Sequence, residues 1–324
     1  MDCRGKKSAG DAMKNSAKIF FGALIFSSVL FWSCKSSGVE EISVDMLSVL
    51  DNDSSIYLGL PASRHKELVS RLLSARISGL SEKNALSLAE RTEILYAGLG
   101  TVEDRSRMQM VSDTNVPKIA VNSALTKKNG WEKSAEKVGS FSFDKYENSA
   151  SSFQMALCPQ DLVCAGQDVE PLLKNFAALS EAEDSECNRW ISGSGDDIKF
   201  FISRPGQYLR SLIGQSINAG TECIYGTLSY VADKKNPDVY SEKYDLTFFI
   251  RLTEKRSVVA LRSLLALSFA MTGGEVAQTD EKTLKLSGVE VTASQIVSMF
   301  SRDPITGKHY KVVDDQVVEE SVKK

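Results

Sequence analysis

LGLPASRHKELVSRLLSARI, residues 58–77, returns in outline as IKFFISRPGQYLRSLIGQSI, residues 198–217, with no gap between the two. Ser63 and Arg64 meet Ser203 and Arg204. Leu68, Val69, Leu72, Leu73 and Ile77 meet Tyr208, Leu209, Leu212, Ile213 and Ile217. Apolar side chains at i, i+1, i+4, i+5 and i+9 lie on one side of a helix, so each copy predicts a short strand followed by an amphipathic helix. Ser63 and Ser203 are expected to cap those helices.

Working outward, the likeness continues in the same order along the chain. Thr92-Glu93-Ile94-Leu95-Tyr96 matches Thr221-Glu222-Cys223-Ile224-Tyr225, both strand-like. Residues 124–128, ALTKK, match residues 251–255, RLTEK, which are expected to close another apolar strand. Residues 152–176 and 282–300 each suggest strand, turn, strand and helix. Four matches in one order predict an internal duplication. The period changes from two to 3.6 and back, so the expected class is α+β: duplicated halves, each an antiparallel sheet with helices on one face. Spacing alone leaves open whether the halves share one sheet. The division expected is a signal peptide at 1–33 and a lipidated cysteine with its tether at 34–50. A first repeat at 51–180, a connector at 181–196, a second repeat at 197–301 and a tail at 302–324 follow.

The halves differ most after the third match. In the first the connector is polar, NGWEKSAEKVGS. The second has residues 257–274, SVVALRSLLALSFAMTGG, whose apolar side chains go almost all round a helix and are interrupted by Arg262. Such a helix is buried in a core or meets lipid, and this one is too short to span a bilayer. Two readings stand: a core helix, or one that contacts lipid or lines an apolar cavity. In the second reading the contacts are Val258, Val259, Leu261, Leu264, Leu265, Leu267, Phe269 and Met271. The amphipathic pieces between residues 64 and 91 are expected to pack on the sheet, with the headgroup region of a membrane as the alternative.

The N-terminus decides the compartment. KIFFGALIFSSVLFWSCKSS, residues 18–37, has an apolar run of only fourteen residues after Lys14 and Lys18, against the roughly 20 that a bilayer crossing needs. A basic start, a short apolar stretch and a small residue before the cut make a secretory signal. Leu30-Phe31-Trp32-Ser33-Cys34 resembles the lipobox of bacterial lipoproteins in its relaxed spirochaetal form, which implies that Cys34 is acylated and becomes the mature N-terminus. Residues 1–33 hold five Lys/Arg and two Asp/Glu, so the mature chain has 34 basic and 40 acidic residues. That balance excludes a globally basic, nucleic-acid-binding surface.

Chemistry-bearing motifs are sparse. The mature chain has no G-x-S-x-G, no H-E-x-x-H and no phosphate-binding Gly-Lys-Ser/Thr loop. SGSGDD, residues 192–197, is expected to be a turn, and no catalytic residue, metal ligand or cofactor is assigned. His65 and His309 are the only histidines, too few donors for a zinc site. Cys158 and Cys164 flank PQDLV, a turn between two short strands. Either a disulfide crosses that hairpin or two core thiols sit there.

A spirochaetal-type lipobox, a mature body of about 290 residues and duplicated α+β halves with apolar helices together resemble a group of treponemal lipoproteins. The resemblance implies a lipid anchor on the periplasmic leaflet of the outer membrane, amphipathic helices that associate with lipid, an apolar cavity, and open and closed forms. Cys34 is the one functional residue it carries over. The leading expectation is therefore a non-enzymatic, membrane-anchored lipoprotein that binds or perturbs lipid. The alternatives are an envelope scaffold that holds a protein partner through sheet edges or the 177–197 connector, and an enzyme.

Overall fold

The computed structural model describes residues 44–76, 80–102, 105–149, 153–178, 184–193, 195–206, 220–232, 243–301, 309–313 and 316–320. The signal segment, Cys34, the tether as far as residue 43 and the helix expected after residue 206 lie outside them.

The central strand is β1 (Ile56–Leu60), which faces a helix pair, α2 (Lys66–Arg76) and α3 (Glu82–Ala89). Two long strands follow, β2 (Thr92–Val102) and β3 (Arg105–Thr114), then a short helix α4 (Lys118–Ala124). Next come two hairpins, β4 (Trp131–Val138) with β5 (Phe141–Asn148) and β6 (Phe153–Leu157) with β7 (Leu162–Gly166). The first part closes with α5 (Glu170–Ala178), and α1 (Met46–Val49) precedes it all. The second part runs α6 (Glu186–Ser192), β8 (Ile198–Ile202), β9 (Thr221–Tyr230), β10 (Lys243–Leu252), α7 (Arg256–Phe269), β11 (Glu275–Gln278), β12 (Thr283–Thr292) and α8 (Ala293–Ser301). A separate hairpin, β13 (His309–Val313) with β14 (Gln316–Glu320), follows.

Both parts contribute to one twelve-stranded sheet, in the order β11-β12-β10-β9-β8-β1-β2-β3-β7-β6-β5-β4. Every pairing in it is antiparallel, including the join, where Ile56 faces Ile202 and Gly59 faces Lys199. The join is reinforced by Ser203, whose N–H donates to the Ser55 carbonyl over 2.9 Å and whose hydroxyl donates to the Ser54 carbonyl over 3.2 Å. Ser203 therefore ties the two parts together, and the helix it is expected to cap lies outside the described residues. Ser63 is no cap either, because α2 begins three residues later at Lys66.

Helices cover both faces of this sheet, not one. On one face α2, α3, α4 and α8 pack over Leu60, Leu99, Met108, Tyr146 and Ile198, and α7 packs over Ile224, Phe248, Ile250 and Leu284. On the other, α1, α5 and α6 enclose Tyr57, Tyr96, Val111, Cys164 and Phe201. The physical reason lies in the middle strands. Ile56 and Leu58 point one way and Tyr57 the other, all apolar, so a strand in mid-sheet needs cover on both sides.

Four further expectations change. Leu47, Val49 and Leu50 are buried, so the end of the expected 34–50 tether belongs to the folded body. Within the expected 181–196 connector, α6 buries Ile191 and is capped by Ser185, whose hydroxyl accepts from the Asn188 N–H at 3.1 Å. The polar NGWEKSAEKVGS stretch holds the edge strand β4, solvated along most of its length, which is why its composition hides a strand. Residues 124–128 close helix α4 and a 3-10 turn (Lys127–Asn129), whereas residues 251–252 end a strand, so that match joins unlike elements.

Candidate lipid-facing site

Helix α7 follows directly on β10 and crosses the β11–β12 end of the sheet. Its inner side is Val258, Leu261 and Leu265, all buried against Ile250, Leu252, Leu284, Leu286 and Val289. Phe269 and Leu264 are half-buried, and the Phe269 ring meets Phe248 edge-on with centroids 6.4 Å apart. Burying three large side chains on the sheet fixes the helix's rotation. The remaining side chains then have only one place to go.

That outer side is apolar. Val259 is 72% exposed, Leu267 77% and Met271 99%, with exposed Ala260, Ala266 and Ala270 between them. The polar groups on this side turn inward to the backbone. Ser263 donates its hydroxyl to the Val259 carbonyl at 3.1 Å, and Thr272 donates to the Phe269 carbonyl at 3.0 Å. Charges gather at the helix start, where Arg256 pairs with Glu254 and Lys255 with Glu281, and Arg262 is the one charged, exposed residue in mid-helix. The helix ends in a 3-10 turn (Ala270–Thr272) and Gly273, whose φ of 77° suits glycine. Val258, Leu261 and Leu265 form core, while Val259, Leu267 and Met271 face outward.

A further exposed apolar residue lies on α4, the helix that leaves β3 as α7 leaves β10. Ile119 is 83% exposed and Val121 is buried, while the Lys118 ammonium reaches Asp144 at 2.9 Å. The sequence reading missed it; the available signal was Pro117, a residue suited to a helix start, immediately before Lys118-Ile119-Ala120-Val121.

Among the described residues no group of three His, Cys, Asp or Glu side chains comes together, and no helix is long and apolar enough to cross a membrane. His65 is buried, its Nε2 2.7 Å from the Asp196 carbonyl, and burial pushes its pKa below the usual value. Cys158 and Cys164 close the β6–β7 hairpin with their sulfurs 3.6 Å apart. Cys34 lies outside the described residues.

The model of a family described as "Outer membrane-associated lipoprotein TP0453" matches residues 41–297. The chain belongs to the TP0453 family. Crystal form I of TP0453 superposes with a TM-score of 0.60 at 15% identity, covering 81% of this chain and 98% of that one. Crystal form III gives 0.62 at 14% identity, covering 81% and 99%, and form IV gives 0.59 at 15%, covering 82% and 100%. No curated protein matches. As a member of the TP0453 family this is a treponemal-type, lipid-anchored lipoprotein of the outer membrane, with an α+β fold built on a large antiparallel sheet.

Proposed function

We propose that this lipoprotein is a non-enzymatic lipid-binding protein that rests on the membrane surface through the outer side of α7. The observation that carries the reading is the solvent-facing row Val259, Leu267 and Met271 on a helix whose opposite side is fully packed. Burying three such side chains contributes roughly 5 kcal/mol. For a free protein that is weak adhesion. For a body held beside the membrane by an acylated Cys34 it is enough, because the tether makes the second contact intramolecular. Partners follow from this: membrane lipid, through the acyl chains and through α7.

The strand order supports an internal duplication as the origin of this architecture. Read outward from the join, β1-β2-β3-β7-β6 on one side has the same order of connections as β8-β9-β10-β12-β11 on the other. The β4–β5 hairpin is then an insertion in the first half.

The test is flotation of the Cys34→Ser chain without residues 1–33 on phosphatidylcholine/phosphatidylglycerol vesicles. The unsubstituted body is expected to float, and Leu267→Glu with Met271→Glu to reduce partitioning about tenfold or more. Equal flotation of both would sink the reading. So would a crosslinker placed at Leu267 in cells that captures one protein in place of lipid, the outcome an envelope scaffold requires.

A further inference from the structure

We infer that Cys158 and Cys164 are a thiol pair built to be oxidised in the envelope, taking up a disulfide from an oxidised dithiol carrier and becoming a covalent staple across the β6–β7 hairpin. In the register, Ala156 faces Cys164 and Leu157 faces Val163. The Cys158 N–H donates to the Leu162 carbonyl over 2.8 Å, so the pairing runs up to the turn. Cys158 thus stands opposite Leu162, so Cys158 and Cys164 lie on the same face two rungs apart, diagonally across the hairpin, with their sulfurs in van der Waals contact at 3.6 Å. A disulfide needs about 2.05 Å between the sulfurs, so forming the bond draws the two side chains closer together.

Three features favour this pair. The turn between them is fixed, with Gln160 at φ 62° and Asp161 at φ 58°, and the Asp161 carbonyl accepting from the Thr114 N–H at 2.8 Å. The two thiols differ in access: Cys164 is fully buried among Leu162, Val111 and Val169, while Cys158 is half-buried. The outer-membrane location of the family places the pair where disulfides persist.

The exchange follows from that difference in access. The Cys158 thiolate attacks one sulfur of the carrier disulfide, forming a mixed disulfide and expelling one carrier thiolate. Cys164 then gives up its proton and attacks the Cys158 sulfur, forming the Cys158–Cys164 bond and expelling the second carrier thiolate. The two protein thiols lose two electrons and two protons, and the carrier disulfide gains them as a dithiol.

The test treats the reduced, folded full chain with oxidised glutathione, alkylates the remaining thiols and maps the peptides without reduction. A linked 158–164 peptide is expected, with Cys187 and Cys223 alkylated after unfolding. Cys164→Ser is expected to trap one glutathione on Cys158, and Cys158→Ser to leave Cys164 unmodified. In the unsubstituted chain, Cys158 and Cys164 both recovered as free thiols would overturn the inference, as would glutathione retained on Cys158 or a link from either to another cysteine. That mapping needs no variant, so it stands if a substitution impairs folding.

Discussion

The Tyr244 hydroxyl lies 3.4 Å from Nδ1 of His65, inside the molecule, and so links the turn before α2 to strand β10 across the sheet join. The other ring nitrogen lies 2.7 Å from the Asp196 carbonyl. A carbonyl only accepts, so Nε2 carries the proton and donates, leaving Nδ1 to accept from the Tyr244 O–H. This pair holds the imidazole in its neutral form.

Burial lowers the His65 pKa below 6.5, outweighing the Asp196 carbonyl and the Asp196 and Asp197 carboxylates, which raise it. The unfolded chain then takes up the proton first. The stability that this neutral ring confers is complete above pH 6.5 and is lost as the pH falls from there towards the folded-state value. Thermal unfolding on both sides of pH 6.5 is expected to show a midpoint that drops on acidification, and His65→Gln is expected to flatten that part of the curve. An unchanged slope in the variant would remove His65 as the cause.

The two sides of α7 separate by substitution. Leu265→Ala opens a cavity against Leu284 and Ile250 and is expected to cost about 2–5 kcal/mol in urea unfolding. Leu267→Ala, on the exposed side, is expected to stay within about 0.5 kcal/mol. Similar losses at both positions would mean that the outer side is covered.

Gly226 makes room for two rings. A Cβ there would come within 2.6 Å of the Phe248 Cβ and 2.7 Å of the Phe200 Cζ, besides meeting the Thr247 carbonyl of the neighbouring strand. Gly226→Ala is expected to destabilise by about 2 kcal/mol or more, read as a lower denaturant midpoint at unchanged slope.

Arg107 on β3 reaches past β2 to the loop before β1, meeting Asp51 at 3.1 Å and also Asp53. Its side chain is mostly buried while both carboxylates are partly exposed, so the pairs are expected to be worth about 1–2 kcal/mol together. Arg107→Met is expected to speed amide exchange at Ser55, whose N–H donates to the Leu99 carbonyl. Slow exchange in the variant would show that the backbone bond alone holds the loop.

How much of this was legible depends on where each side chain meets water. Strands with one or two apolar faces, such as β1, β2 and β9, announce themselves, and so does the helix pair α2–α3. Edge strand β4 does not: only Trp131 of its eight residues is buried, so its composition resembles a loop. The continuous sheet was hidden because the join depends on pairing between residues about 140 apart, such as Ile56 with Ile202, and periodicity carries no information on which strands pair. On α7 the sequence supplied the right residues but not their orientation. Val258 and Val259 are chemically identical, and only the packing of Leu261 and Leu265 decides which of them faces outward.

The join of β1 and β8 has a mechanical consequence. A chain whose two parts touched only through side chains could open between them like a book, as multidomain binding proteins do. Here the spine is backbone ladder, from Ile56 to Gly59 against Lys199 to Ile202, backed by Ser203. Opening at that place would strip paired N–H and C=O groups in the middle of the sheet. Any rearrangement is therefore cheapest at the periphery, where α7 is held to the sheet by side chains and not by paired backbone.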